Sequence, residues 1–154
     1  VINIMKKYEV GYTTGVFDMF HIGHLNILEK AKNMCNELIV GVSSDELVSY
    51  KHKKAIIPFE ERIKIVESIR YVDKVVGQYS MDKMEAWQKY QFDAMFVGSD
   101  WKGTEKWLEL ERQFLAIGVE IKYFDYTVGT SSTQLRKALK IITTEMLISL
   151  SPIN

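Results

Sequence analysis

The chain is expected to fold as an α/β domain in which a five-stranded parallel sheet carries helices on both faces. Three observations lead there. Short apolar runs bounded by turn residues alternate with stretches of helical period over residues 8–142. Residues 37–42 are apolar almost without interruption, as in a strand covered on both faces. No repeat, low-complexity tract or Gly/Ser-rich linker divides the 154 residues, a length that suits one domain.

Residues 8–14 read as the first strand, which turns at Gly15. Residues 21–34 place Ile22, Leu25, Leu28, Ala31 and Met34 or Cys35 on one helical face. Residues 37–42 form the second strand, and Ser43 or Ser44 can cap a short helix reaching about Tyr50. Pro58 suits a first helical turn, after which Phe59, Ile63, Val66 and Ile69 mark an apolar face. Residues 71–77 read as the third strand, and a helix runs from Asp82 or Lys83 to Tyr90. Residues 93–97 form the fourth strand, ending at Gly98. Thr104 opens a helix that Gly118 stops after Ile117. Residues 119–124 are the fifth strand and residues 131–142 the last helix, leaving 1–7 as an N-terminal extension and 143–154 as a C-terminal tail.

Strand and helix alternating five times, joined by right-handed crossovers, describe a Rossmann-like doubly wound domain. Ligands of such sheets sit beyond the carboxyl ends of the strands, where the strand order reverses. Functional residues are therefore sought at 15–24, 51–54, 98–101 and 126–133.

Composition narrows the partners. Lys+Arg and Asp+Glu both number 20, so a polyanion such as nucleic acid, which needs many basic contacts, is not an expected partner. The single cysteine, Cys35, excludes an intrachain disulfide and a cysteine-rich zinc site, and reads as a small buried hydrophobe. No apolar run approaches the ~20 residues of a membrane helix. Residues 1–7 lack the apolar centre of a secretion signal, so a cytoplasmic protein without a membrane partner is expected.

The densest chemistry lies at Gly15-Val16-Phe17-Asp18-Met19-Phe20-His21-Ile22-Gly23-His24, directly after the first strand. Residues three apart share a helix face, so His21 and His24 present two imidazoles to one point. Gly23 leaves room for close approach, and the helix terminus adds N–H groups and positive potential. These parts suit a phosphate. The bland alternative is a first turn that happens to hold two histidines, one of them capping. Further His, Cys or paired carboxylates at ligand spacing are missing, so no metal held by the protein itself is expected.

Residues 15–24 resemble the first signature of the HxGH nucleotidyltransferase superfamily. Further similarity lies at Ser43-Ser44-Asp45-Glu46, Lys51-His52-Lys53-Lys54, Phe59-Glu60-Glu61-Arg62, Ile69-Arg70-Tyr71-Val72-Asp73 and Val97-Gly98-Ser99-Asp100-Trp101. The combination is similar to the cytidylyltransferase branch, and within it to the glycerol-3-phosphate cytidylyltransferases. That resemblance implies CMP transfer from CTP to a small phosphorylated substrate, Mg²⁺ accompanying the triphosphate, and a homodimer. It implies catalytic roles for His21, His24 and Lys53. The nucleotide would be held by Gly15, Val16, Phe17, Ile22, Gly23, Asp100, Trp101, Tyr126, Thr127, Gly129, Thr130, Ser131, Ser132 and Thr133. Lys51, Lys83 and Arg62 would take the phosphorylated substrate, and Asp18, Asp45, Arg70 and Asp73 would support the site. A structural ion-pair network at a helix end is the competing reading for Arg62, Arg70 and Asp73.

One departure stands out: where the family's last signature has arginine and glutamate, this chain has Tyr126 and Val128. A fixed bidentate cation is lost there, and Arg136, one turn into the last helix, is a candidate replacement. Another phosphorylated acceptor, ATP in place of CTP, and a non-catalytic nucleotide-binding module stay open as alternatives. Trp87, Tyr90, Trp101 and Trp107 are more large aromatics than a small core easily hides, which fits a dimer.

Overall fold

A computed structural model describes residues 6–50, 53–126 and 128–151. The order is β1 (Tyr8–Gly15), α1 (Ile22–Met34), β2 (Cys35–Ser43), α2 (Asp45–Tyr50), α3 (Phe59–Glu67), β3 (Lys74–Gln78), α4 (Lys83–Tyr90), β4 (Ala94–Gly98), a 3₁₀ turn at Ser99–Trp101, α5 (Glu105–Ala116), β5 (Glu120–Phe124) and α6 (Ser132–Leu150). The five strands are all parallel in the order β3-β2-β1-β4-β5, which is the Rossmann-like arrangement expected from the sequence. The order reverses between β1 and β4, so the crevice falls between Gly15 and Gly98.

Two apolar clusters cover the two faces. On one face Leu28 and Ala31 of α1 and Val66 of α3 pack with Leu38, Val40 and Phe96. On the other, Trp107 and Phe114 of α5, with Met84 and Trp87 of α4, pack with Tyr12, Ile39 and Met95. Helices α1 and α3 thus lie on one side of the sheet, and α4 and α5 on the other. Cys35 opens β2 and is fully buried among the first cluster.

Several boundaries differ from the sequence reading. Pro58 is the N-cap of α3 rather than its first residue. Strand β3 starts at Lys74, because residues 71–73 turn: the Val72 N–H bonds the Ile69 carbonyl and Asp73 ties back to Leu38. The last helix does not stop at Ile142 but continues to Leu150, with its second half exposed. Trp107 is buried, and Trp87 and Tyr90 pack on the second cluster. Of the four aromatics read as surplus, only Trp101 is markedly exposed, so that argument for a dimer does not stand.

Candidate active site

The carboxyl ends of β1 and β4 open into a cavity of about 470 Å³. Gly15, Val16, Phe17 and His24 line it on the α1 side, Trp101 and Tyr126 on the β4–β5 side, and Lys53, Lys83, Lys106 and Arg136 supply cations around it.

His21 is the N-cap of α1, and the two histidines form a reciprocal capping box. The Gly23 N–H donates to His21 Nδ1 at 3.0 Å, and the His21 N–H donates to His24 Nδ1 at 3.3 Å. The ring centres lie 3.9 Å apart. Phe17 and Phe20 each stand 5.4 Å from the His24 ring. Burial among these rings lowers the His24 pKa to about 4, helped by repulsion from His21 and Arg136. Burial also lowers His21. Both imidazoles are therefore neutral at pH 7. Because each Nδ1 accepts a backbone N–H, the remaining proton of each ring sits on Nε2. The capping reading holds, and it leaves the chemical reading open: capping fixes the tautomer that leaves two Nε2–H donors.

Gly23 has a different use from the one expected. A Cβ there would stand 2.8 Å from His21 Cε1, so the missing side chain makes room for the histidine ring itself. The Thr130 carbonyl lies 3.6 Å from the same point, which places the β5–α6 loop over the start of α1.

Asp18 organises the neighbourhood. It is 1% exposed, and its carboxylate accepts the Ile56 and Ile57 N–H groups at 2.9 Å and Arg136 Nη2 at 2.8 Å. Burial opposes its ionisation, but these bonds outweigh burial and hold its pKa below the usual carboxylate value. Its carbonyl accepts from Ser132 Oγ at 2.7 Å. Phe17 and Met19, on either side, adopt positive φ. Arg136 keeps a buried Nε that has no partner. A guanidinium with one satisfied arm and one unsatisfied N–H, on a cavity wall, is suited to a phosphate oxygen.

The glycine-hydroxyl segment is split. Ser132 lines the cavity, and Ser131 caps α6 by accepting the Gln134 N–H. Gly129 has φ 143°, a conformation that favours glycine. Thr133 and Ile22 are exposed outside the cavity lining. Asp100 is exposed and accepts the Tyr126 hydroxyl, and Tyr126 rests on Gly98, where a Cβ would meet its Oη at 2.9 Å. Burial and the Asp100 carboxylate raise the Tyr126 pKa. Lys51 and Thr127 lie outside the described residues.

Three expectations are corrected. Arg62 does not face a substrate: it is 0% exposed. Its donors go to the carbonyls of Ile57, Val16 and Ser43 and to Asp45 Oδ1 at 2.8 Å. Asp45, expected to support the site, pairs with Arg62 and also accepts the Phe59 N–H at the start of α3 at 3.2 Å. Arg70 is exposed and stacks on Tyr71, outside the site. Asp73 accepts Lys32 Nζ at 2.6 Å and the Leu38 N–H at 2.7 Å, at the opposite end of the sheet. For Arg62 and Asp73 the ion-pair reading holds, through Asp45 and Lys32; Arg70 instead pairs with the Tyr71 ring and hydroxyl.

Sequence reasoning missed Lys106, which lines the cavity from the first turn of α5. A signal existed: a cation near a helix N-terminus opposes the macrodipole, and such a placement asks for a reason.

The comparisons with known proteins agree with this fold. A glycerol-3-phosphate cytidylyltransferase from Bacillus spizizenii is 39% identical over 86% of this chain and 96% of its own. An FAD synthase from Pyrococcus abyssi is 34% identical over 84% of this chain and 88% of its own. The crystal structure of a lipopolysaccharide core biosynthesis protein from Thermoplasma volcanium superposes with a TM-score of 0.67 at 25% identity, covering 80% of this chain and 99% of that one. The cytidylyltransferase-like family model matches residues 12–138, spanning β1 through the first turns of α6. With its paired Nε2 donors at the sheet's switch point, the chain belongs to the cytidylyltransferase-like family.

Proposed function

We propose that this nucleotidyltransferase moves CMP from CTP to a small phosphomonoester, glycerol 3-phosphate, and releases pyrophosphate. The observation that carries the reading is the pair of neutral imidazoles whose Nδ1 atoms are both tied to backbone, leaving two Nε2–H donors: His24 lines a cavity ringed with cations, and the His21 ring stands 3.9 Å from it, centre to centre. An acceptor phosphate oxygen attacks the α-phosphorus in line. The new P–O bond forms as the bond to the β-phosphate oxygen breaks, and pyrophosphate carries away the electron pair. The attacking oxygen is already ionised, so no strong base is needed. The protein's work is positioning and charge stabilisation. His24, with His21 beside it, donates to the α-phosphate, Lys53 and Arg136 hold the triphosphate, and Ser132 stands with Arg136 at the start of α6.

Mg²⁺ fits this site as a companion of the triphosphate, where it neutralises charge on the phosphate oxygens. Asp18, the carboxylate on the cavity wall, is already occupied by two N–H groups and Arg136. Among the described residues no trio of His, Cys, Asp or Glu converges as a metal site.

CTP is favoured over ATP because Trp101 and Tyr126 crowd the β4–β5 side and suit the smaller base. Sequence similarity to the glycerol-3-phosphate cytidylyltransferase supports the acceptor. We place the enzyme in the cytoplasm as a homodimer, with neither nucleic acid nor membrane as partner; no helix among the described residues is long and apolar enough to cross a membrane. Pyrophosphate release with CTP or ATP against a panel of phosphomonoesters tests the reading. CTP with glycerol 3-phosphate should lead, with ATP disfavoured by ~10²-fold in kcat/KM. Equal or better use of ATP defeats the base assignment, and no turnover with any pair defeats the activity.

A further inference from the structure

A second groove, of about 310 Å³, runs outward between α4 and α5 and shares Lys83, Lys106, Met81 and Leu110 with the main cavity. Lys83 is the first residue of α4, and Lys106 lies in the first turn of α5. Both cations thus stand at helix N-termini, where the macrodipole opposes them, and both face the neck joining the two spaces. Lys83 Nζ donates to Thr14 Oγ1 at 3.2 Å, which anchors this neck at the end of β1.

The direction of the groove matters. The groups assigned to the triphosphate, His21, His24, Ser132 and Arg136, come from α1 and α6, next to Asp18. Helices α4 and α5 cover the opposite face of the sheet. In-line displacement needs the nucleophile and the leaving group on opposite sides of phosphorus. A triphosphate held from the α1–α6 side leaves the α4–α5 side for the acceptor.

We propose that Lys106, with Lys83, binds the acceptor's phosphate at this neck, and that the groove beyond holds a hydroxylated tail. Past the lysines the groove presents the Glu109 carboxylate and the Gln113 amide. Glu109 is already paired with Arg112 at 2.7 Å, so an ammonium tail finds its charge satisfied. Asp82, on the same wall, accepts the Met84 and Glu85 N–H groups as the cap of α4. What stays open to a ligand is hydrogen bonding to hydroxyls, which favours a polyol or sugar phosphate over a phosphorylated amino alcohol.

The assignment rests on the activity proposed above and is tested by steady-state kinetics of wild type, Lys106→Ala and Lys106→Arg. Lys106→Ala should raise KM for glycerol 3-phosphate about 10-fold or more and leave KM for CTP within about 2-fold, with Lys106→Arg recovering most of the loss. Wild type should use glycerol 3-phosphate at least ~10-fold better in kcat/KM than ethanolamine phosphate. An unchanged acceptor KM, an equal rise in KM for CTP, or preference for ethanolamine phosphate each overturns the proposal. If wild type turns over no phosphomonoester, the activity assignment fails first. Ligand-observed NMR of glycerol 3-phosphate then decides the groove alone: equal binding to wild type and Lys106→Ala, or none to wild type, rejects it.

Discussion

His21 caps α1 through Nδ1, and the mechanism proposed above gives Nε2–H of the same ring a chemical task; a substitution can separate the two. Asparagine caps helices about as well as any residue, but it carries no donor where Nε2–H sits. His21→Asn should keep the melting temperature within about 2 °C while turnover falls at least ~100-fold, the scale of losing a preorganised donor. Circular dichroism melts and pyrophosphate release check the two halves, and retained turnover would defeat the mechanism. His24 gives a pH prediction. Its folded pKa is lowered to about 4 from an ordinary 6.5, because burial and neighbouring positive charge disfavour the imidazolium. Between pH 6.5 and 4 the unfolded chain binds the extra proton, so stability falls as the solution is acidified through that window and this contribution levels off below it. The His24 imidazole resonance should titrate near pH 4 by NMR, and His24→Gln should flatten the acid limb of urea-midpoint stability.

At the scale of elements, what was legible in the sequence was whatever local pattern determines. Apolar period and capping residues located α1, α4 and α5 within a residue or so, and the unbroken run at residues 37–42 announced a covered central strand. The first loop was legible because its aspartate, histidines and glycine all fall within residues 18–24. Arg62 and Asp73 were misread because their partners are distant in the chain: Arg62 bonds Val16 and Ser43, and Asp73 bonds Lys32. A sequence displays a charged residue without saying whether it faces a ligand or a carbonyl. Arg62 joins the ends of β1 and β2 to α2 and to the loop before α3. Arg62→Ala leaves those carbonyls buried and unpaired, so we expect a loss of about 3–5 kcal/mol. That corresponds to a fall of roughly 10 °C in Tm. Thermal melts read the outcome. A normal Tm with a raised acceptor KM would restore Arg62 to the substrate site.

The described residues carry more apolar surface than the core uses, and a continuous share of the excess lies on α6. That helix docks by its first turns, through Ser132 and Arg136, while Ile141, Ile142, Met146, Leu147, Ile148 and Leu150 are exposed. Exposed apolar area of this kind is covered in most proteins by association, and the homodimer proposed above should appear in sedimentation equilibrium at micromolar concentration. A monomer there would defeat it. The Asp18 junction has a further consequence, for the timing of synthesis. Asp18 sits on the loop after β1, yet its arginine partner lies 118 residues downstream. Chains emerge from the ribosome N-terminus first, so β1, α1 and β2 can assemble early while the Asp18 carboxylate waits without its cation. The loop that carries Asp18 and His21 reaches its final form only after α6 has been translated, so the Asp18–Arg136 pair closes late in the synthesis of this domain.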